Sequence, residues 1–199
     1  AKSHALGILA DVARGLAGVA KGAELEEVGK AIDALLQRID LADPASRDLV
    51  ARLMANVPLP EGADGRAARD ALWIALTEMA LRTSREAALV IALEDAQWAD
   101  LESLSWIDHL LARALGYPVF VLATARPTLW REDPNRWNGR DHVRIELRPL
   151  SKRTVRAIAK AMLGGRASGE GGEDLIEAIA AQAGGSPLSG YVANPRNLY

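Results

Sequence analysis

The stretch Ala87–Asp100, AALVIALEDAQWAD, is an apolar run that ends in two adjacent carboxylates. From Ala87 to Leu93 no side chain is polar, and Val90 and Ile91 are β-branched. Such a run predicts a parallel-sheet strand buried on both faces. Glu94 and Asp95 fall at its carboxyl end. Ligands of open α/β sheets bind at that end, so two acids there point to a hydrated divalent cation or to a water to be activated. The alternative is a simple cap that opens a turn, because acids end many strands without any function.

Downstream of the acids, Asp100 is placed to N-cap a helix over Leu101 to Leu115. Gly116 and Tyr117-Pro118 turn the chain into a second apolar strand, Val119 to Ala123, which ends in Thr124 and Arg126. A third strand is expected over Val143 to Leu147, where apolar and charged residues alternate as in an edge strand. Between them, Thr128 to Asp141 reads as a polar loop with Trp130 and Trp137, either a flexible flap or a contact surface. Ser151 caps a helix to Leu163, and a glycine-rich loop, Gly164 to Gly172, leads to a last helix, Glu173 to Ala183.

Upstream the pattern is helical. Stripes of three- and four-residue spacing predict helices over His4 to Ala20, closed by Gly22, and over Glu24 to Ile39. Asp43-Pro44 supplies the cap and first position of a third, running to about Ala55. Pro58 to Gly65 reads as a loop, and a long fourth helix from Arg66 to about Arg82 buries some combination of Ala71, Leu72, Ile74, Ala75, Met79 and Leu81. The expected fold class is α/β, a parallel sheet with a helical region at residues 1–84, a core at 85–150, and appended helices at 151–199. Right-handed crossovers put the ends of the first two strands on one edge, so Glu94, Asp95, Thr124 and Arg126 converge. Two acids for a metal and a guanidinium for phosphate oxygens are what phosphoryl transfer requires. Alternatively Arg126 forms a salt bridge with either acid and neutralises the site.

Composition narrows the function classes. The chain of 199 residues is 49% hydrophobic with no long uninterrupted apolar segment, the profile of a soluble globular chain without a membrane partner. A formal net charge of -2 argues against a strongly cationic nucleic-acid surface. Absence of cysteine removes disulfides and thiolate metal sites and fits a cytoplasmic location. Asp11 and Arg14 interrupt the first twenty residues, so no secretory signal is expected there. His4, His109 and His142 have no second ligand at metal spacing, and no Ser-His-Asp or G-x-S-x-G pattern supports acyl transfer.

LVIALEDAQWAD (89–100) resembles the Walker B segment of the STAND branch of AAA-like P-loop ATPases, and FVLATARP (120–127) resembles the sensor 1 strand of that family. IELRPLSKRTVRAIAKAMLG (145–164) is similar to its next strand and the helix opening the lid, and QAGGSPL (182–188) to the Gly-x-Pro motif of the lid. The resemblance implies a P-loop NTPase-like sheet with a C-terminal helical lid and ATP with Mg²⁺ as cofactors. It implies that Glu94 holds Mg²⁺ through water, that Asp95 polarises the attacking water and shares the metal, and that Arg126, with Thr124 before it, senses the γ-phosphate. Pro187 would lie near the adenine, and Trp98 would pack beneath the turn. Gln97 stands where the family often has histidine.

The pattern G-x-x-x-x-G-K-[ST] is absent from the chain. In the family the phosphate loop and its strand precede the helical region, so the chain is expected to begin downstream of both, and the tail 189–199 departs from the family pattern. The implied function is an ATP-dependent regulatory switch of a larger signalling protein, with Mg-ATP between sheet and lid and slow hydrolysis. Its partners would be output domains of the kinase, cyclase or transcription-regulator kind, or further copies in an oligomer. The alternative is a nucleotide-free interaction module derived from the ATPase fold, holding a partner with its helices and the Trp130/Trp137 loop.

Overall fold

In the computed structural model, which describes residues 6–59, 62–164 and 171–185, Leu89–Leu93 (β1) pairs in parallel with Val119–Ala123 (β2). Four helices precede β1: α1 (Gly7–Ala17), α2 (Leu25–Arg38), α3 (Pro44–Met54) and α4 (Gly62–Glu86). A 3₁₀ turn (Ala96–Trp98) and α5 (Leu101–Arg113) join the strands. A short α6 (Thr128–Glu132) follows β2, and α7 (Lys152–Leu163) and α8 (Gly172–Ala183) complete the described elements. These residues are mostly helical, with a small parallel sheet, an architecture compatible with the α/β class. The chain divides into two compact units, Ala1–His142 and Val143–Tyr199.

In the first unit the helices bury one stripe each in a single core that also takes the inner face of the sheet. Leu9 and Ala13 of α1, Val28 and Ile32 of α2, and Val50 and Met54 of α3 meet Leu72, Leu76 and Met79 of α4 and Ile107 and Leu110 of α5. Asp43 caps α3 by accepting from the amides of Ala45 and Ser46, with Pro44 at the first position as expected. Two arginines join the helices by capping one another's ends. Arg14, buried on α1, donates from Nη1 to the carbonyl of Met54 (2.6 Å) at the end of α3. Arg82 of α4 donates to the carbonyls of Ile39 and Asp40 past the end of α2. Each places a cation at the negative pole of a helix.

Several boundaries and faces differ from expectation. Helix α1 stops at Gly18, in the left-handed conformation at φ 70°, before reaching Gly22. Helix α4 begins at Gly62, inside the segment expected to be a loop, and runs on to Glu86. Its buried stripe takes Leu72, Ala75, Leu76, Met79 and Ala80, and Ile74 points outward because it lies off that stripe. The strands are covered on one face only. Ile91 and Leu93 are buried, whereas Val90 and Phe120 are each 61% exposed and Leu122 is 53% exposed. The expectation of burial on both faces fails because the core packs on the inner face, to which Leu89, Val119, Val121 and Ala123 also turn, and leaves Val90, Phe120 and Leu122 of the outer face exposed.

The Val143–Leu147 strand is not formed. The sheet has two strands among the described residues, and Val143, Ile145 and Leu147 are exposed. Alternation supplies a strand's side-chain pattern, but only a neighbouring backbone supplies its ladder. The Trp130/Trp137 segment is a docked element and not a flap. The two rings meet edge to face at 6.4 Å and both pack on the core, while Arg140 grips Asp108 of α5 with two bonds of 2.9 and 2.7 Å.

In the second unit Ser151 caps α7 by accepting from the amide of Thr154, as the sequence predicted. Val155, Ala159 and Leu163 of α7 and Ile176, Ile179 and Ala180 of α8 bury their apolar stripes. Glu177 bridges Lys152 and Arg156. Gly185, at φ +86°, accepts from the Leu150 amide, and a Cβ there would come within 2.7 Å of Pro149, so only glycine fits this turn.

Two predictions concern the α4–α5 contact. The fully buried Trp106 donates its indole N–H to Thr77 Oγ1 at 3.2 Å. Thr77→Val should lower urea-unfolding stability by about 1–3 kcal/mol by orphaning that donor, and Thr77→Ser should largely retain it. Nearby, His109 lies 5.5 Å from the Trp73 ring, with Nε2 buried and unpartnered and Nδ1 3.3 Å from Arg113. Burial pushes its imidazole below the usual histidine range, Arg113 adds to that, and Asp108 opposes it. The folded state thus favours neutral His109. Its contribution is intact above the unfolded value near pH 6.5 and is lost as acid carries the pH down through the lowered one. His109→Gln should flatten the loss of stability between pH 7.5 and 5, read as the urea midpoint of variant against native protein.

Candidate functional site

Parallel pairing in register, Leu89 opposite Val119 through Leu93 opposite Ala123, brings the carboxyl ends of β1 and β2 side by side. Past the ladder three contacts extend the pairing. The Thr124 amide donates to the Leu93 carbonyl (2.9 Å), the Ala96 amide to the Thr124 carbonyl (2.9 Å), and the Asp95 amide to Thr124 Oγ1 (3.2 Å). Asp95 sits at φ 52°, ψ 45°, a left-handed conformation that aspartate tolerates better than most residues, and this sends the chain into the 3₁₀ turn. Asp100 then caps α5, accepting from the amide of Ser103 at 2.8 Å, the structural role its position predicted.

Of the residues singled out in the sequence, Asp95, Thr124 and Arg126 are brought together, with Glu94 next to Asp95 in the turn and exposed. Among the described residues Arg126 makes no ion pair with either acid. Its guanidinium instead lies over the Trp98 ring, 5.9 Å from the centroid. Trp98 is 66% exposed, so it is a shelf for Arg126 and not a packing residue beneath the turn. The expected position of Pro187 lies outside the described residues.

Sequence reasoning missed Gln97. Its Nε2 donates to Asp95 Oδ1 (2.9 Å), and its Oε1 accepts from the Arg126 amide (2.9 Å). The available signal was an amide side chain two residues past an acid, on a turn whose length returns it toward that acid.

Glu94 and Asp95 offer two exposed carboxylates, and among the described residues no group of three or more His, Cys, Asp or Glu is placed to hold a metal ion. Two carboxylates suit Mg²⁺, which keeps most of its water, better than a dehydrated transition metal. Elsewhere in the first unit, a groove of about 400 Å³ between α2 and α3 is lined by charges already paired, Lys30 with Glu26, Arg47 with Asp33 and Arg52 with Asp48. No helix among the described residues is long and apolar enough to cross a membrane.

No protein-family model matches the chain, and no solved structure matches it. It is similar to an uncharacterized protein of Rhizobium meliloti (strain 1021), 28% identical over 134 residues. That match takes in 66% of this chain and 13% of the relative, so the chain spans only a small part of that protein's length.

The latch at Thr124 is open to test. Thr124→Val should raise hydrogen exchange at the Asp95 amide by roughly three- to tenfold, the worth of one exposed hydrogen bond, and Thr124→Ser should leave it close to native. Equal exchange in both variants would show that the hydroxyl does not hold this turn.

Proposed function

We propose that the carboxyl end of the β1–β2 pair is a Mg-ATP site of a regulatory switch, of the kind the STAND ATPase resemblance implies. Glu94 would hold the metal through water, Asp95 would share the metal and orient the attacking water, and Arg126, steadied beside Thr124, would meet the γ-phosphate. The observation that carries this reading is that Arg126, tied to Asp95 through Gln97, makes no ion pair with either acid, so its charge remains available to an anion. A cradle of backbone amides for the β-phosphate is the missing part, because no G-x-x-x-x-G-K-[ST] pattern occurs in the 199 residues.

A second reading has its own support. The outer sheet face presents Val90, Phe120 and Leu122 to solvent, and an apolar patch of that kind favours a module that holds a protein partner without nucleotide chemistry. Titration with a fluorescent ATP analogue and Mg²⁺, of this chain and of a form extended upstream, separates the two. Binding by either form supports the switch, and absence of binding by both, each folded, supports the interaction module. In a form that binds, Arg126→Ala should reduce the preference for ATP over ADP by about tenfold, the loss of one charge-assisted contact. Equal ATP and ADP affinities before mutation would sink the sensing role of Arg126.

A further inference from the structure

Position 97 joins the two halves of the site. A side-chain amide has one donor end and one acceptor end, and here each meets a group that can use only that end: the Asp95 carboxylate takes Nε2–H, and the Arg126 N–H meets Oε1. Arg126 lies three residues past the end of β2, beyond the ladder that fixes the strand. Its carbonyl accepts from the Leu129 amide (3.1 Å), and its amide is held by Gln97, whose own place is set by the 3₁₀ turn that Asp95 begins. Gln97 is half-buried as a residue, while both hydrogen bonds of the bridge are exposed.

We infer that Gln97 is a positioning residue that holds the Arg126 main chain at a fixed distance from the Asp95 carboxylate. This rests on the Mg-ATP reading for its purpose, since a Mg-ATP site needs the cation at its Asp95 end and the oxyanion at its Arg126 end held in one arrangement. The coupling itself is a property of the free protein. Removing either anchor of the amide lets it rotate and releases the other, so a change at Asp95 is felt at Arg126, which it does not touch.

The test is residue-resolved amide hydrogen exchange by NMR on the full 199-residue chain without nucleotide, with the α5 amides as the internal measure of an intact fold. Gln97→Leu should speed exchange at the Arg126 amide by roughly three- to tenfold. Gln97→Glu keeps an acceptor for that amide but loses the donor to Asp95 and sets a second carboxylate against it, so it too should speed exchange at Arg126. Adding Asp95→Asn, which returns a donor between the two side chains, should bring the rate back toward native, a rescue that a merely space-filling role would not give. Asp95→Gly removes the carboxylate without straining the left-handed turn. It should speed Arg126 exchange in the native background and add nothing in the Gln97→Leu background. An Arg126 rate unmoved by Gln97→Leu overturns the inference, as does equal acceleration by Asp95→Gly in both backgrounds. Either result leaves the ATP titration untouched, and failure of that titration leaves the exchange pattern standing.

Discussion

A parallel pair of strands has no hairpin to set its register, so the pairing of β1 with β2 is decided by which side chains reach the core. Ile91 and Leu93 point inward with Val121 and Ala123, and the register that satisfies them puts Leu93 opposite Ala123. A slip of one residue would turn Val90 and Ala92 inward and carry Asp95 away from Thr124. The site at the strand ends is therefore a consequence of core packing some distance below it. Thr124 and Gln97 then refine what the register has placed.

The helices of the first unit do more than cover one sheet face. Their ends are closed by side chains from other helices, Arg14 of α1 on α3 and Arg82 of α4 past α2, so the orphan carbonyls of two short helices are satisfied by the elements they pack against. Such caps make the helical layer cooperative, since loosening one helix uncovers the end of another. The sheet lacks that closure on its outer face, where Phe120 and Leu122 meet water. Parallel strands are ordinarily covered on both faces, and this asymmetry gives the interaction-module reading its weight.

Local chemistry was the most legible part of the sequence. Asp43-Pro44, Asp100 and Ser151 each cap the helix they were expected to cap, because a cap needs only its own carboxylate or hydroxyl and the next few amides. The two apolar strands and their shared edge were legible for a similar reason, as a short run between turn signals. The third strand was not: VRIEL carries the right alternation, yet a ladder needs a neighbour that alternation does not supply. The outward turn of Ile74 and the exposure of Trp98 escaped for the same cause, since periodicity identifies a stripe but not what faces it.

In the candidate site, the sequence by itself placed Glu94 and Asp95 at a strand end and Thr124 and Arg126 at the next, because strand length and turn residues are local properties. Tertiary structure alone decided the rest. It set the register that brings Asp95 to Thr124, stacked Arg126 over Trp98 and left it free of an ion pair with the acids, and turned Gln97 to bridge the ends of the two strands. Apart from the Gln97–Asp95 bond within the turn, these are contacts between residues nearly thirty positions apart, and their geometry exists only once the core has fixed the strands against each other.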